Sequence, residues 1–485
     1  MGAILRSRGI WIMVLVPTSL YTLHPSSLAQ ITFEKTYGGT SSDAGLCVQQ
    51  TTDGGYVIAG ASKSFTGGSS DVYLIKTDSM GDTVWTRTYG NAVDQDSGFC
   101  VQQTQDGGYI LCGQTGDGGS VSYVYLIRTD SVGDSIWSRT YSGPEDYEAG
   151  YSVIQTRDGG YLVAGRTRYY GSGHKVYLIK TNSVGDALWT RSHGPGADCA
   201  YSIQPTSDSG YIAAGITYSF PDWGVYLVRT DPLGDTLWTS SIGGREYHIG
   251  YEVRQMPDRG YIISGTANAW GRDLLIVRTD SLGDTLWTKV YGYEDGNTQV
   301  GYSLDLTLGG NCVITGYDDG DVLLMRTDAG GDTLWTRRYG GSDDDCGKSV
   351  KQTSDGGFII TGFTWSFGSL RSDVYLIKTD ENGLTGVEDE RPAGDIIRTK
   401  IGLLENIPNP FTNSTVITYS LPIETRVSLR VFDMAGRLVE TLVNERQTNG
   451  IHHLTWNRNT NPCGLYFCRL EVGDFTTARK MVVVE

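Results

Sequence analysis

The stretch Asp53-Gly54-Gly55-Tyr56-Val57-Ile58-Ala59-Gly60 decides the fold, because it returns along the chain at a nearly constant spacing. Similar blocks begin at Asp106, Asp158, Asp208, Asp258 and Asp355, and a degenerate block runs from Gly309 to Gly316. The seven blocks recur with a period of about fifty residues, which is typical of architectures built from repeated small sheets. An all-β structure is therefore expected in this region.

Each repeat divides into four short segments that have the pattern of β-strands, lettered A to D. In the first repeat, strand A covers 46–51, strand B 56–59, strand C 72–76 and strand D 82–89. The Asp-Gly-Gly sequence supplies the positive φ angles of a tight hairpin between strands A and B. Strands B and C are almost continuously apolar, so both faces of each sheet need cover. Sheets stacked around a central axis provide that cover, which predicts a seven-bladed β-propeller over residues 30–383.

Strand D of six repeats carries a tryptophan that follows a Gly-Asp pair at a fixed spacing. A side chain of this size is suited to wedge between neighbouring blades, so a structural blade-docking role is predicted for all six. They are Trp85, Trp137, Trp189, Trp238, Trp287 and Trp335.

The seventh repeat has no strand D after Asp380, but residues 33–38 align with residues 85–90 and place Phe33 at the tryptophan position. We expect this N-terminal segment to pair as the outer strand of the last blade, with Phe33 as its docking side chain. Such a pairing closes the ring and removes the exposed edge of an open array.

The first 29 residues have the pattern of a secretory signal peptide. Arg6 and Arg8 precede an apolar run over 10–21, and Ser27-Leu28-Ala29 is a small-residue cleavage site. The apolar run is shorter than the ~20 residues that a membrane span needs, so no transmembrane segment is expected once the signal is removed. Acidic residues outnumber basic ones 55 to 39, giving a formal net charge of −16, which argues against nucleic acid as a partner.

The eight cysteines do not form an evident disulfide framework. Cys47 and Cys100 occupy equivalent positions of two repeats, where other repeats have serine or glutamate. This pattern indicates small buried side chains. Whether Cys463 bonds Cys468 is left open by the sequence.

Residues 384–402 show no apolar period and are predicted to be a linker. Beyond them, segments at 416–421, 427–432, 438–443, 454–456, 465–470 and 480–484 alternate like strands. They predict a small immunoglobulin-like β-sandwich over 403–485.

Two resemblances accompany these patterns. Residues 31–383 resemble secreted bacterial propellers whose repeats contain DGGY, DVYLIKTD and GDTxWTRTYGG motifs. The stretches 404–411, 419–422, 431–437, 464–466 and 479–482 resemble the type A C-terminal sorting domain of type IX secretion, which is related in fold to the immunoglobulin-like domain of flagellar hook-capping proteins. The resemblance implies a Gram-negative bacterium, contact between residues 403–485 and the type IX machinery, and a secreted or outer-membrane-surface location.

The loops between strands B and C and between successive repeats lie on one face of the predicted ring, and they vary in length and side chain. Trp223, Trp270 and Trp365 in the B–C loops are candidates for stacking on sugars or on a protein partner, or else they cover the blade tops. An acidic residue recurs just before strand A, as Asp43, Asp96, Glu148, Asp198 and Asp345. These carboxylates either form an acidic ring able to hold Ca²⁺ or a cationic partner, or bond only their own loops.

No motif identifies a catalytic residue, a zinc site or any other cofactor site, and Ca²⁺ is the one ion that the acidic ring suggests. The favoured hypothesis is a secreted or cell-surface binding or scaffold protein whose variable loop face recognises a glycan or an extracellular protein. The alternative is an extracellular carbohydrate-active hydrolase or lyase that uses the carboxylates of the ring as acid and base.

Overall fold

A computed structural model of the chain describes residues 30–385 and 402–484. The gaps in the first range are 66–68, 92, 120, 170–172, 197, 219–222, 244–246, 268–272, 293–297, 308–309 and 370. Those in the second are 404–405, 407–408, 422–424, 449, 459–460 and 474. The predicted signal peptide and most of the predicted linker lie outside the described residues. All regular elements described are β-strands, as predicted.

Twenty-eight strands form seven four-stranded antiparallel sheets in series. The first sheet contains β2 (Asp43–Gln50), β3 (Tyr56–Ser62), β4 (Asp71–Thr77) and β5 (Thr83–Tyr89). The second contains β6 (Ser97–Gln103), β7 (Tyr109–Gly116), β8 (Ser122–Thr129) and β9 (Ser135–Tyr141). The third contains β10 (Ala149–Gln155), β11 (Tyr161–Tyr169), β12 (Gly173–Thr181) and β13 (Ala187–His193).

The remaining sheets repeat the same order. The fourth contains β14 (Asp198–Pro205), β15 (Tyr211–Thr217), β16 (Gly224–Thr230) and β17 (Thr236–Ile242). The fifth contains β18 (Ile249–Gln255), β19 (Tyr261–Ala267), β20 (Asp273–Thr279) and β21 (Thr285–Tyr291). The sixth contains β22 (Gln299–Leu306), β23 (Cys312–Asp318), β24 (Asp321–Thr327) and β25 (Thr333–Tyr339). The seventh contains β26 (Asp345–Gln352), β27 (Phe358–Thr364), β28 (Asp373–Thr379) and β1 (Phe33–Tyr37).

The last sheet takes its outer strand from the N-terminus, as predicted. β1 pairs antiparallel with β28, from Phe33 opposite Lys378 to Tyr37 opposite Val374. Each sheet contacts the next, and the seventh contacts the first through β2 against β26 and β27. The first strands of neighbouring sheets also contact one another all the way round. They are therefore the inner strands, and the series, which is consistent with a β-propeller, surrounds a central axis.

Aromatic side chains of the outer strands pack on the next sheet. The Trp137 ring meets the edge of Tyr161 at a centroid distance of 5.9 Å, and a methyl group at Gly185 would lie 2.8 Å from that indole. Gly185 has a φ of +84°, so the turn between strands C and D both requires glycine and leaves room for the ring. Trp85, Trp189, Trp238, Trp287, Trp335 and Phe33 lie under the corresponding glycine of the next sheet in the same way.

In six of the seven sheets an ion pair ties the A–B turn to the end of strand C, beside the C–D turn. In the third sheet, Lys180 lies 2.9 Å from Asp158, the first residue of that repeat's Asp-Gly-Gly turn. Equivalent pairs join Asp53 to Lys76, Asp106 to Arg128, Asp208 to Arg229, Asp258 to Arg278 and Asp355 to Lys378. The basic side chains are almost fully buried, whereas the carboxylates reach solvent. Each basic side chain therefore extends through the core and places its charged end beside a carboxylate at the surface.

The C-terminal region forms two antiparallel sheets. One contains β29 (Gly402–Leu403), β30 (Ser414–Leu421) and β33 (Gly450–Asn457). The other contains β32 (Leu438–Gln447), β31 (Thr425–Asp433), β34 (Gly464–Val472) and β35 (Phe475–Val483). Both sheets contribute to one core that includes Tyr419, Leu429 and Trp456. The predicted strands are recovered, but β35 begins earlier than expected and β29 lies at the end of the predicted linker.

All eight cysteines are free thiols, and seven of them are buried or half-buried. Cys463 is exposed whereas Cys468 is buried, so these two do not pair. Within the part of the chain that the structure describes, no helix has the length and apolar character needed to cross a membrane.

Candidate functional site

Every inner strand of the seven sheets carries a β-bulge at the same place. In the third sheet, for example, Gly150 pairs with Gly165 and Ser152 pairs with Ala164, so Tyr151 is the extra, unpaired residue. The glycine before the bulge lets the inner strand approach the preceding sheet closely, since a methyl group at Gly150 would lie 2.9 Å from Val124. The bulge residues are Leu46, Phe99, Tyr151, Tyr201, Tyr251, Tyr302 and Lys348, and all seven are half-buried.

Five of these residues form a continuous series of rings from sheet to sheet, which we call the aromatic arc: Phe99, Tyr151, Tyr201, Tyr251 and Tyr302. Successive ring centroids are separated by 5.1, 5.1, 5.4 and 5.1 Å, with tilted ring planes. Lys348 continues the series, because its Nζ atom lies 3.5 Å from the centroid of the Tyr302 ring. Six of the seven inner strands thus present one aromatic and cationic surface around the central axis.

The phenols of the arc are neutral at physiological pH. Burial raises the pKa of Tyr302 to about 12, and burial likewise raises the pKa values of Tyr151, Tyr201 and Tyr251. Their hydroxyl groups therefore stay available as hydrogen-bond donors, and their faces remain uncharged stacking surfaces. This combination suits a ligand that is both flat and polar.

Sequence analysis missed the arc. In all seven repeats the bulge residue lies three residues after the position that is acidic in five of them, and it immediately follows a glycine or alanine. An aromatic residue follows that small residue in five of seven repeats, which was the available signal. It cannot be distinguished from strand alternation until the bulge is known, because a bulge changes the face on which a side chain lies.

A second aromatic group lies beside the arc, between the B–C loop of the fourth sheet and the loop that joins the fourth sheet to the fifth. The Trp223 and Tyr247 rings pack at a centroid distance of 4.6 Å, and Tyr218 lies 6.0 Å from Tyr247. Tyr218 is 44% exposed and close enough to Tyr201 and Tyr251 to contribute to their raised pKa values. Trp223, predicted from sequence as a ligand contact, therefore lies in a group that continues the arc toward the loop face.

Of the other two predicted tryptophans, Trp365 has no ring contact with this group among the described residues. Trp365 is 42% exposed in the loop after β27, and Trp270 lies outside the described residues. A role for either in ligand binding stays a prediction.

Two arginines flank the arc at the third sheet. The Arg166 guanidinium carbon lies 5.1 Å from the centroid of Tyr147 and 5.9 Å from that of Tyr151. Arg168 also lies over Tyr147, at 5.9 Å, and its Nε is 3.2 Å from a carboxylate oxygen of Glu145. Burial and these two arginines lower the pKa of His174, which packs on the other side of this group. The imidazole is therefore neutral, and the arginines carry the positive charge here.

The five carboxylates of the predicted acidic ring are buried. Asp43, Asp96, Glu148, Asp198 and Asp345 are all at most 1% exposed, so they do not form an open collar. Asp345 accepts hydrogen bonds from the Gly341 amide at 2.8 Å and from the Ser366 hydroxyl at 2.7 Å. Asp43 bonds Gly39 and Ser64 in the same way, Glu148 bonds Thr167, and Asp198 bonds Gly196.

Asp43 and Asp345 thus join the loop before strand A to the loop after strand B, which is the local role left open by the sequence. A hydrolase or lyase mechanism would need carboxylates that can reach a substrate, and these five are covered. Within the described residues, no group of three or more acidic, histidine or cysteine side chains is arranged to hold a metal ion.

A cavity of about 600 Å³ opens beside Asp96 at the loops of the second sheet. Its lining includes Asp94, Asp117, Tyr123 and Tyr125. Burial raises the pKa of Asp96 to about 6, with further contributions from Asp71 and Asp94.

The raised pKa values of two buried aspartates predict a contribution to stability that grows as pH falls from 7 to about 4. Burial raises the pKa of Asp321 to about 6, as for Asp96. Because an unfolded aspartate titrates near pH 3.9, the folded chain binds more protons than the unfolded chain at about pH 4 to 6, and stability rises as pH falls through that window. For Asp53 and Asp158, burial is outweighed by hydrogen bonds from Thr51 and Thr156 and from Lys76 and Lys180, and the pKa falls to about 2. Their contribution is lost as pH drops below about 4.

Urea unfolding from pH 7 to pH 2 tests this expectation. Asp96→Asn should remove about 1 kcal/mol of the change in unfolding free energy between pH 7 and pH 5. Asp235→Asn, which alters an exposed carboxylate on a C–D turn, is the control and should leave that limb unchanged. If the intact chain and folded Asp96→Asn had the same pH dependence between pH 7 and pH 5, the raised pKa of Asp96 would be contradicted.

The last part of the chain, which forms the two C-terminal sheets, matches a known domain family. Strands β30 to β35, their common core and the motifs at 431–437 and 464–466 fall within one matched segment. Residues 407–484 match the family of secretion system C-terminal sorting domains. The sorting domain is a tail of type IX secretion, and it marks proteins that are secreted and then attached at the outer-membrane surface or released. Its presence implies an interaction with the secretion machinery, and the predicted tail and location are confirmed.

No curated protein matches the chain in sequence. Solved structures similar to the chain include Sqt1 from Chaetomium thermophilum, with 11% identity, 80% of this chain and 97% of that chain covered and a TM-score of 0.42. The BP39L lectin from Burkholderia pseudomallei has 7% identity, coverage of 71% and 97% and a TM-score of 0.45. PorZ, a surface component of the type IX secretion system of Porphyromonas gingivalis, has 8% identity, coverage of 91% and 81% and a TM-score of 0.27.

Proposed function

We propose that the protein is an exported binding protein that recognises a saccharide at the centre of its loop face. The observation that carries this proposal is the aromatic arc, in which five half-buried rings from five sheets contact one another around the axis. Sugars present flat apolar faces and equatorial hydroxyl groups, and tyrosine offers a stacking face together with a hydrogen-bonding hydroxyl. Because the sheets hold the side chains of the arc in place, little conformational entropy is lost when a ligand binds.

The architecture that we propose for this role has three parts. Residues 30–383 form one seven-bladed propeller closed by β1, residues 384–402 link it to the tail, and residues 403–485 form an immunoglobulin-like sandwich. Residues 1–29 are removed as a signal peptide. The pairing of β1 with β28 and the contacts between the first and seventh sheets support the closed ring.

Binding of a glycan array by the purified mature chain, followed by titration calorimetry on the best ligand, tests the proposal. Tyr251→Ala is expected to weaken binding by at least about tenfold, because it removes a ring from the middle of the arc. Tyr251→Phe keeps the stacking face and should retain most of the affinity. Phe65→Ala removes an aromatic ring that is 53% exposed in a B–C loop of the first sheet, and it should have no effect.

Two results would count against a saccharide-binding role for the arc. One is the absence of any saccharide ligand on the array. The other is a ligand whose affinity is the same for the intact chain and for folded Tyr251→Ala.

A further inference from the structure

We infer that the saccharide recognised at the aromatic arc is negatively charged, and that Arg166 and Lys348 bind its anionic groups. This inference rests on the proposed function and names the ligand class of the same site. It follows from the way in which two cations are placed in a chain whose overall charge is strongly negative.

Arg166 is a half-buried cation without an anionic partner. It contacts the faces of Tyr147 and Tyr151, and no carboxylate of the described residues forms an ion pair with it. Its Nε atom is buried and has no hydrogen-bond partner among those residues. Because the described residues supply neither an acceptor for this atom nor a carboxylate for the guanidinium, the charge of the half-buried side chain remains to be paired with an external anion. Guanidinium pairs with carboxylate and sulfate oxygens through two parallel hydrogen bonds, which gives such an acceptor a defined orientation.

Lys348 is the second cation of this kind. Its ammonium group lies over the Tyr302 ring at 3.5 Å and 5.7 Å from the centroid of Phe363, and it forms no ion pair with a described carboxylate. The cation–π contacts hold the ammonium at the arc without neutralising its charge. Arg166 lies beside the ring of Tyr151, and Lys348 lies beside that of Tyr302, with Tyr201 and Tyr251 between them. The tyrosine rings of the arc therefore have a positively charged side chain at each end of the series.

The acidic groups nearest to these cations are engaged elsewhere. Glu145 pairs with Arg168 at 3.2 Å, and Asp344 accepts a hydrogen bond from the Tyr317 hydroxyl at 3.2 Å. Glu148 and Asp345 are fully buried and bond their own loops. The surface left for a ligand is thus made of rings, phenol hydroxyls and two unpaired cations, which is complementary to an acidic sugar.

An acidic saccharide fits this surface better than an acidic peptide does. The arc presents four tyrosine rings in succession, each suited to the flat face of one pyranose ring, and their hydroxyl groups match the hydroxyl groups of a sugar. An acidic peptide could pair its carboxylates with the two cations, but it has no sugar rings to stack on the tyrosine side chains.

Calorimetric titration of the full mature chain with oligomers of equal length distinguishes these possibilities. The probes are oligomers of glucuronic acid, sulfated galactose and glucose, together with an oligoglutamate peptide. At least one of the two acidic saccharides should bind about tenfold or more tightly than the glucose oligomer, with an affinity that falls as salt is raised. Which of the two binds better identifies carboxylate or sulfate as the recognised group.

Variants of the two cations test their roles directly. Arg166→Gln and Lys348→Gln should each weaken binding of the acidic oligomer by about tenfold, while the glucose oligomer is unaffected. Arg166→Lys keeps the positive charge but loses the two parallel hydrogen-bond donors of the guanidinium. Its affinity for the acidic oligomer should therefore lie between that of the intact chain and that of Arg166→Gln. Arg157→Gln makes the same charge change on the A–B turn of the same sheet, at the opposite end from Arg166, and should bind like the intact chain. Circular dichroism and melting curves confirm that each variant is folded.

Equal affinity for the acidic and glucose oligomers would overturn the inference and leave the proposed function standing. So would unchanged binding of the acidic oligomer by folded Arg166→Gln and Lys348→Gln. Binding of oligoglutamate in preference to every saccharide would replace the ligand class with an acidic peptide. Absence of binding to all saccharides, charged or neutral, would instead remove the proposed function itself.

Discussion

Deletion of residues 31–38 from the mature chain is expected to lower its melting temperature by roughly 10 °C or more. The segment supplies the outer strand of the seventh sheet through five residue pairs with β28. It also docks that sheet on the first, because Phe33 meets Tyr56 edge-on at 6.0 Å and the Tyr37 hydroxyl donates to the Gly81 carbonyl at 2.6 Å. Losing both the burial of Phe33 and the strand pairing should remove at least about 5 kcal/mol of stability.

Scanning calorimetry of the intact and shortened chains measures this change. A peptide of residues 30–38 added to the shortened chain should restore part of the loss, since it can occupy the open edge of β28. A peptide of the same composition in scrambled order is the control. Superimposable melting curves for the intact and shortened chains would show that the N-terminal strand does not hold the series closed.

Substitution of Trp137 by alanine is expected to cost about 3 kcal/mol of unfolding free energy. The indole packs against Tyr161 and under the turn at Gly185, so its removal opens a void between the second and third sheets. It is half-buried, which places the expected loss at the lower end of the range for a large aromatic residue. Denaturant unfolding followed by circular dichroism measures it.

Trp365→Ala is the matched control, because that tryptophan is 42% exposed in a loop. Its substitution should change stability by less than about 0.5 kcal/mol. If Trp137→Ala and Trp365→Ala had equal effects, the outer-strand tryptophans would not be the wedges between sheets that their contacts indicate.

Much of the fold could be predicted because the repeat makes each feature visible several times. The Asp-Gly-Gly turn fixes one hairpin in every sheet, and the tryptophan marks the outer strand by its place after a Gly-Asp pair. The alignment of Phe33 with Trp85 was sufficient to predict a pairing between residues about 345 positions apart, which the structure contains as β1 against β28. Comparison between repeats thus predicted a pairing of distant strands that one repeat alone could not reveal.

The candidate site was harder to predict, for two physical reasons. The acidic position before strand A was conspicuous in the sequence, but carboxylates that satisfy loop amides have the same spacing as carboxylates that meet a ligand. Asp43 and Asp345 prove to be of the first kind. The rings of Tyr151 and Tyr251 were overlooked because strand alternation assigns a face to each residue only where the ladder is regular, and the bulge interrupts it.

The bulge has a consequence for how proteins of this design diversify. Since the extra residue takes no part in the ladder, its side chain can change without disturbing the hydrogen bonds that hold the sheet. This chain already carries leucine, phenylalanine, tyrosine and lysine at that one place in its seven sheets. Mutation at these positions can therefore alter which molecule is captured while the scaffold keeps its shape, so recognition and stability are free to evolve separately.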